Sequence, residues 1–276
     1  MPELIRDIVL AHGIARFSIL AEMLKDAGVI PDNDNLHYFK GIATHLGANG
    51  FNVHTTNVDF AGPIDDCARE LADQVKRINK KVHIIGHSQG GLNSRHAIVD
   101  HGIADNVAML TTIDTPHLGT SFADYALTRA GLLFIKVLKP FINIDGFKEL
   151  TIAQAGAFNN RAADAEAKNA VIYRTYSASE ERERIFFLLR PSWKIIRDRE
   201  GGENDGLVSV KSQNWNDTIV AADGTTTKPI QHFTFPFGAD HLNVCGWYDP
   251  AEDTDPTQYE DRVKEVYLQI ANSGIA

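Results

Sequence analysis

The segment from Lys81 to Leu92, with the sequence KVHIIGHSQGGL, constrains the fold of this chain more than any other. Apolar residues suited to a buried strand run directly into Gly-His-Ser-Gln-Gly, and a helix-forming stretch follows. So sharp a turn needs small residues on both sides of its central residue, and Gly86 and Gly90 supply them. The pattern predicts that Ser88 stands clear of the backbone at the carboxyl end of a strand and at a helix amino terminus.

Ser88 is the candidate nucleophile because of this context rather than because of the short motif alone. A G-x-S-x-G pattern is weak in a chain with 21 glycines. The preceding Val82, Ile84 and Ile85 supply a strand, and Leu92 and the apolar residues near position 98 give the following helix one apolar side. An ordinary glycine-rich turn is the competing interpretation, and the flanking pattern speaks against it.

Length and composition bound the class of protein. With 276 residues, 43% of them hydrophobic, the chain can bury one sizeable core, and we expect a single domain over residues 1–276. The formal net charge of -9 argues against nucleic acid or anionic membranes as partners. Neither a signal sequence nor a transmembrane segment is recognisable, so we expect a soluble protein, either cytoplasmic or a mature secreted form lacking its leader. Cys67 and Cys245 lack metal-ligand spacing, and free thiols or one disulfide both remain open.

Strand-like and helical patterns alternate along the chain, which predicts a mostly parallel sheet flanked by helices. The predicted strands are Asp7 to Ala11, Phe51 to Asp59, Val82 to Gly86, Val107 to Ile113 and Ala170 to Tyr176. The predicted helices are Leu36 to Leu46, Pro63 to Asn79, Gly91 to His101 and Pro256 to Asn272.

The segment from His117 to Lys168 is too long for a simple crossover and predicts an insertion, residues 117–168, within the domain. It contains a dense apolar stretch, and we expect a helical cap or lid there. The candidate substrate-facing residues are Leu133, Phe134, Val137, Leu138 and Phe141. Two interpretations stay open, a buried cap helix and a movable lid whose apolar face meets lipid or a hydrophobic substrate.

A serine hydroxyl needs a base, and the base needs an acid to orient it. In hydrolases built on this turn the chain order is serine, acid, histidine, which leaves His232 and His241. His232 lies in an alternating, strand-like stretch, whereas His241 lies in a loop ahead of the last helix, where catalytic groups are usual. We therefore favour His241 as the base.

The acid is expected in a tight polar turn beside apolar residues, and Asp205 in the sequence NDGLV fits this best. The competing acids are Asp198, Asp217, Asp223 and Asp240.

Two backbone N–H groups are expected to stabilise an oxyanion. Gln89 supplies one and Ile14, after the His12-Gly13 pair, supplies the other, although His12-Gly13 could also be only a turn. The loop from Thr115 to Thr120 lies at the same sheet edge, and we treat it as substrate-side scaffold.

Five segments together resemble the bacterial family I triacylglycerol lipases of the α/β-hydrolase superfamily: IVLAHGI, IIGHSQGGL, TTIDTPHLGTSFAD, NDGLVSV and DHLNV. The resemblance extends from about Ile8 to Gly246. It implies an α/β-hydrolase fold and a catalytic triad of Ser88, Asp205 and His241, with oxyanion donors at Ile14 and Gln89.

The resemblance also implies a structural calcium, but the sequence departs from the family at that point. The family commonly has an Asp two residues after the catalytic histidine, and Asn243 stands there instead. An amide oxygen lacks the charge that a hard cation prefers. Asn243 is thus a weak metal candidate, and we expect that no cofactor is required.

These features together predict a serine carboxylic-ester hydrolase, a lipase that cleaves acylglycerol esters, with a lipid or ester substrate at a lipid–water interface. A short-chain esterase or an acyltransferase on the same triad is the first alternative. A noncatalytic binding protein with the hydrolase fold is the second.

Overall fold

The computed structural model describes residues 4–13, 38–56, 62–128, 131, 144–247 and 255–274. Its centre is a six-stranded sheet in which every neighbouring pair of strands is parallel. The strands of this sheet are β1 (Asp7–Ala11), β2 (Asn52–Thr55), β3 (Val82–His87), β4 (Val107–Ile113), β5 (Ile172–Ser177) and, after a separate two-stranded hairpin, β8 (Gln231–Thr234). Their order across the sheet is β2-β1-β3-β4-β5-β8.

Side-chain alternation along the strands divides the core into two layers, because successive side chains point to opposite faces of the sheet. Ile8 and Leu10 of β1 face the layer that contains helices α1 (Ile42–Ala48) and α9 (Pro256–Asn272). Val9 and Ala11 face the layer that contains α2 (Ile64–Ile78) and α3 (Gln89–Asp100). Both faces of the sheet are thus covered by helices, as a parallel sheet requires.

Two helices show how local sequence sets their ends. Pro63 immediately precedes α2, and Asp65 and Asp66 lie in its first turn, where carboxylates interact favourably with the positive end of the helix dipole. Asp255 caps α9 by accepting a hydrogen bond from the Thr257 N–H at 2.9 Å, and Pro256 occupies its first turn. The predicted and observed bounds of α9 agree.

The connection between β4 and β5 contains several helices, including α4 (Ser121–Ala126), α5 (Ile144–Glu149) and α6 (Ile152–Lys168). Apolar residues of this connection form a smaller cluster with Leu92 of α3 and Ile196 of α7 (Arg190–Glu200). The candidate cap residues Leu133, Phe134, Val137, Leu138 and Phe141 lie outside the described residues. The lid therefore stays a prediction.

A hairpin leads into the last strand of the sheet. After the short helix α8 (Val210–Asn214), strands β6 (Thr218–Val220) and β7 (Thr227–Pro229) pair antiparallel. Ile219 of β6 packs in the same layer as α2 and α3.

Several predicted boundaries need correction. Strand β2 ends at Thr55 rather than extending through Thr56 toward Asp59, and residues 57–61 lie outside the described part of the chain. Helix α1 begins at Ile42, because Gly41 before it has a left-handed backbone with φ of 68° that ends the preceding turn. Helix α3 begins two residues earlier than predicted, immediately after Ser88.

The two cysteines are free thiols, both buried. Cys67 lies in the layer of α2 and Cys245 in the layer of α9, on opposite faces of the sheet.

Candidate active site

Ser88 lies in a strained turn between β3 and α3. Its backbone has φ of 55° and ψ of -131°, a region that residues other than glycine rarely adopt. Hydrogen bonds on both sides hold the turn in place: the Ser88 N–H donates to the Ile113 carbonyl at 2.9 Å, and the Thr115 hydroxyl donates to the Ser88 carbonyl at 2.9 Å. The predicted strand, turn and helix are all present, with the serine at the carboxyl edge of the sheet.

The end of β1 packs closely against this serine. A side-chain carbon at Gly13 would lie 2.8 Å from Ser88 Cβ and 2.6 Å from the Tyr38 hydroxyl, so only glycine fits. The Ser88 hydroxyl oxygen would be 3.2 Å from the same point. The serine side chain therefore faces the loop after β1, where the resemblance places one oxyanion donor.

Asp205 and His241 are paired through both side chain and main chain. The His241 Nδ1–H donates to Asp205 Oδ2 at 2.7 Å, and the His241 backbone N–H donates to the Asp205 carbonyl at 2.9 Å. The other carboxylate oxygen, Oδ1, accepts the N–H groups of Leu207 and Val208, each at 2.7 Å. Asp205 is fully buried and His241 nearly so. This is the arrangement that fixes one tautomer of an imidazole and leaves its Nε2 available as a base.

The His241 ring lies beside the serine turn. Its centroid is 4.6 Å from that of His87, the residue immediately before Ser88. His87 is in turn in hydrogen-bond contact with the Tyr38 hydroxyl through Nδ1 at 2.6 Å. Burial, and next the proximity of His241, lower the pKa of His87 well below its usual range, so its ring is neutral. Sequence reasoning missed both Tyr38 and His87, because neither contact follows from spacing along the chain.

The competing residues lie elsewhere or have structural partners. His232 is in β8, where Nδ1 is in hydrogen-bond contact with the Thr175 hydroxyl at 2.8 Å. Asp198 pairs with Lys194 on exposed helix surface, and Asp223 accepts hydrogen bonds within its own turn. Asp240 accepts the backbone N–H groups of Phe186, Leu242 and Asn243 and thereby shapes the loop that carries His241. Asp217 is fully exposed beside His232.

One of the two predicted oxyanion donors, Gln89, lies among the described residues. Gln89 is the first residue of α3, and N–H groups in the first turn of a helix have no partner within that helix. Its position beside Ser88 is therefore suited to an anion. Ile14 lies outside the described residues.

His117 belongs to the support of α3 rather than to the site. It is fully buried, with Nδ1 in contact with Arg95 at 3.3 Å and Nε2 with the Thr112 hydroxyl at 2.8 Å. Its ring stacks on Trp215 with centroids 4.6 Å apart. Within the Thr115 to Thr120 loop, which we predicted to be scaffold, His117 therefore packs against α3 and Trp215.

Asp114 is a second buried carboxyl beside the pair, and sequence reasoning overlooked it. It is the first residue after β4, so its position at the end of a predicted strand next to the one that carries Ser88 was a usable signal. One carboxylate oxygen of Asp114 lies within 4.8 Å of a ring nitrogen of His87 and of His241.

The residues around Asn243 do not fit a calcium ion. The Asn243 side-chain oxygen accepts the Asp240 N–H at 3.2 Å, and its amide nitrogen donates to the Trp247 carbonyl at 2.6 Å. The Asp240 carboxylate already accepts three backbone N–H groups. The oxygens that a hard cation would need therefore serve as hydrogen-bond acceptors for the loop.

The parallel sheet, the two helical layers and the serine turn at the carboxyl edge define an α/β-hydrolase fold. The mature form of Bacillus licheniformis lipase BlEst2 superimposes with a TM-score of 0.66 and 17% identity, covering 99% of this chain and 94% of that one. Staphylococcus hyicus lipase gives a TM-score of 0.63 at 16% identity, covering 98% of this chain and 95% of that one.

Residues 8–186 match the family described as "Putative serine esterase (DUF676)", and the chain belongs to that family. Triacylglycerol lipase 2 of Saccharomyces cerevisiae is 30% identical over 230 residues, which cover 79% of this chain and 65% of that protein. The chain thus spans slightly less than two thirds of this relative. Within the part of the chain that the structure describes, no helix is both long and apolar enough to cross a membrane.

Proposed function

We propose that the protein is a serine carboxylic-ester hydrolase, and specifically a lipase that cleaves acylglycerol esters through an acyl-enzyme on Ser88. The observation that carries this proposal is the buried Asp205–His241 pair, joined at 2.7 Å, at the same sheet edge as a serine in a strained turn. Membership of a serine esterase family supports the reaction class.

In the proposed reaction Ser88 Oγ attacks the ester carbonyl carbon while His241 Nε2 accepts the hydroxyl proton. Asp205 orients the imidazole and stabilises its charged form. The N–H of Gln89, with that of Ile14 as the second donor, stabilises the negative oxygen of the tetrahedral intermediate, and one such donor is typically worth about 3 kcal/mol. His241 then returns the proton to the leaving alcohol, and water attacks the acyl-enzyme with His241 again as base. The reaction needs no cofactor, and no step passes through a metal.

The finer assignment to a lipase rests on the resemblance to bacterial family I lipases and on relatives that are named triacylglycerol lipase. Triacylglycerol lipase of Pseudarthrobacter phenanthrenivorans is 31% identical over 153 residues, covering 50% of this chain and 43% of that protein. The apolar stretch with Leu133, Phe134, Val137, Leu138 and Phe141 would form the lid over the site. We propose that this lid meets the substrate at a lipid–water interface.

The nucleophile is tested by comparing Ser88→Ala with Ser192→Ala. Ser192 is also buried and donates to a backbone carbonyl, that of Leu189 at 2.8 Å, but it lies on α7. Ser88→Ala should lower hydrolysis of a dissolved p-nitrophenyl ester by at least about 10⁴-fold and abolish labelling by a fluorophosphonate, while Ser192→Ala retains both. A wild-type protein that folds but is never labelled would favour the noncatalytic binding protein.

The substrate class is tested by chain length. The wild type should hydrolyse emulsified long-chain triacylglycerol as well as dissolved short-chain esters. Activity confined to dissolved short-chain esters would replace the lipase with a short-chain esterase on the same triad. Transfer of the acyl group to an added alcohol in preference to water would indicate an acyltransferase.

A further inference from the structure

Asp114 occupies a constrained position directly behind the proposed triad. It follows β4, the neighbour of the strand that carries Ser88, and its φ of 50° places it in the left-handed region. Its N–H donates to the Tyr176 carbonyl at 3.1 Å, and its Oδ1 accepts the Ala178 N–H at 3.0 Å. The residue is fully buried. Both the main chain and one carboxyl oxygen of Asp114 are thus held by hydrogen bonds, in which the second carboxyl oxygen takes no part.

That second oxygen, Oδ2, meets no hydrogen-bond donor among the described residues. It belongs to a carboxyl group that lies beside the Asp205 carboxyl. Two carboxylates offer only acceptors, so this contact is a hydrogen bond only when one of the two groups carries a proton. Two buried carboxylates side by side also repel each other, so the pair is most stable with one proton and one negative charge.

The hydrogen-bond partners decide which residue carries the charge. Asp205 accepts three N–H groups, from Leu207, Val208 and His241, whereas Asp114 accepts one. The charge is stabilised where the donors converge, so it lies on Asp205 and the proton lies on Asp114. Burial and then the charge of Asp205 raise the pKa of Asp114 well above its usual range, which agrees with this assignment.

Asp114 is also close enough to act on the base. One of its carboxyl oxygens lies within 4.8 Å of a ring nitrogen of His241, the imidazole that Asp205 holds. A negative charge at this distance, in a buried site, would stabilise the charged form of that imidazole. While Asp205 is ionised, Asp114 stays neutral because two adjacent buried carboxylates repel each other.

We propose that Asp114 is a reserve acid for the His241 base: it is protonated and donates to Asp205 in the wild type, and it ionises and stabilises the His241 imidazolium when Asp205 cannot. It is a positioning residue, since it acts through His241. The inference rests on the proposed function, because it assigns a role in that same site. The proton that Asp114 loses on taking over the charge goes to solvent, and no covalent bond changes.

Other titratable groups face this site from the elements packed around it, and apart from Asp205 none of them is changed in the variants compared below. They are His87 on β3, Asp205, Asp240 and His241 on the loops, and Tyr38, Cys245 and Tyr267 on the side of α9.

The test compares kcat for a dissolved p-nitrophenyl ester across Asp114→Asn, Asp205→Asn and the double variant. Asp114→Asn should retain activity within about threefold, because its amide N–H donates to Asp205 as the protonated acid does. Asp205→Asn should lose about 10²-fold, and the double variant should fall at least about tenfold further. The residual activity of Asp205→Asn should rise with pH as Asp114 ionises, and the double variant should lack that rise.

The matched control is Asp205→Asn combined with Asp217→Asn, which removes the same charge from a fully exposed carboxylate. It should behave as Asp205→Asn alone. Equal kcat and equal pH profiles for Asp205→Asn and the Asp114→Asn double variant would overturn the proposal. If the wild type is not labelled by the fluorophosphonate, the proposed function itself is overturned. Failure of the proposed function is thus distinguishable from failure of the proposed role of Asp114.

An infrared measurement tests the resting state without the double variant. Asp114→Asn should remove a protonated-carboxyl C=O band that the wild type shows at neutral pH. A spectrum unchanged in that region would show that Asp114 is ionised in the wild type and would overturn the proposal.

Discussion

Arg95 and Glu166 form a buried ion pair behind the serine turn, and removing one partner should destabilise the fold more than removing both. Arg95 donates from Nε and Nη2 to the two carboxylate oxygens of Glu166, at 2.8 and 2.9 Å, and neither side chain is appreciably exposed. The guanidinium lies 3.5 Å over the Trp215 ring and 4.7 Å over that of Phe158. The pair therefore joins α3, which begins at the serine turn, to α6.

The expected magnitude follows from burial. Arg95→Met leaves the Glu166 carboxylate without its two charged donors in a site closed to water, and such an uncompensated charge costs about 3 to 5 kcal/mol. Glu166→Met should cost a similar amount by stranding the guanidinium. The double variant fills the same space with apolar groups and should lose less than either single variant, because the desolvation of both charges is also removed. The coupling energy should therefore exceed about 3 kcal/mol.

Urea unfolding of the two single variants and the double variant, followed by circular dichroism and by tryptophan fluorescence, measures these differences. The control is the exposed pair of Lys194 and Asp198, 2.7 Å apart, whose removal should change stability by less than about 1 kcal/mol. The reasoning is refuted if the losses of Arg95→Met and Glu166→Met add up in the double variant, since the pair would then stabilise the fold like two independent contacts.

Two further predictions concern the serine turn and a buried histidine. Gly90→Ala should lower both stability and ester hydrolysis, since its new carbon would lie 2.7 Å from the carbonyl carbon of Ala11. Gly156→Ala on α6 meets open space and should raise stability by about 0.5 to 1 kcal/mol. Urea midpoints measure the stability of both variants and kcat their hydrolysis, and equal changes in the two variants would contradict the prediction. Burial lowers the pKa of His83 to about 3. Between pH 6.5 and pH 3 the unfolded chain therefore binds a proton at this histidine and the folded chain does not, so stability falls as the pH drops through that range. His83→Gln should retain about 2 kcal/mol more of its neutral-pH stability than the wild type on going from pH 7 to pH 5, and parallel pH profiles of the unfolding free energy would count against it.

The elements of the fold were predictable where the pattern is continuous. Strands β1 and β4 have the predicted bounds because their apolar runs lie between polar residues and are buried on both faces. The start of α3 was predicted two residues late, since the glycines of the turn hide a helix that begins directly after Ser88. The short β2 is only partly buried and alternates weakly, so its end could not be placed from pattern.

The candidate site was predictable in residue type and order, but not in its contacts. The tight polar turn favoured Asp205 and the loop position favoured His241, yet only the folded chain joins them across 36 positions. The contact of Asp114 with Asp205 depends on the order of β3, β4 and β5 in the sheet, which no local pattern specifies. Burial of His87 against Tyr38 is likewise a product of tertiary packing.

Asp205 and His241 are hydrogen-bonded through both their side chains and their backbones, so their relative position does not depend on the length of the chain between them. Their side chains and backbones are in direct contact, while the intervening β6–β7 hairpin packs in the layer of α2 and α3. The hairpin turns at Gly224, where φ is 70° and a side-chain carbon would meet nothing within 4 Å. The tip of this hairpin is accordingly an attachment point: a fluorescent reporter or an affinity handle inserted there should leave the contact between Asp205 and His241 unchanged. Natural variation in length could accumulate at the same tip for the same reason.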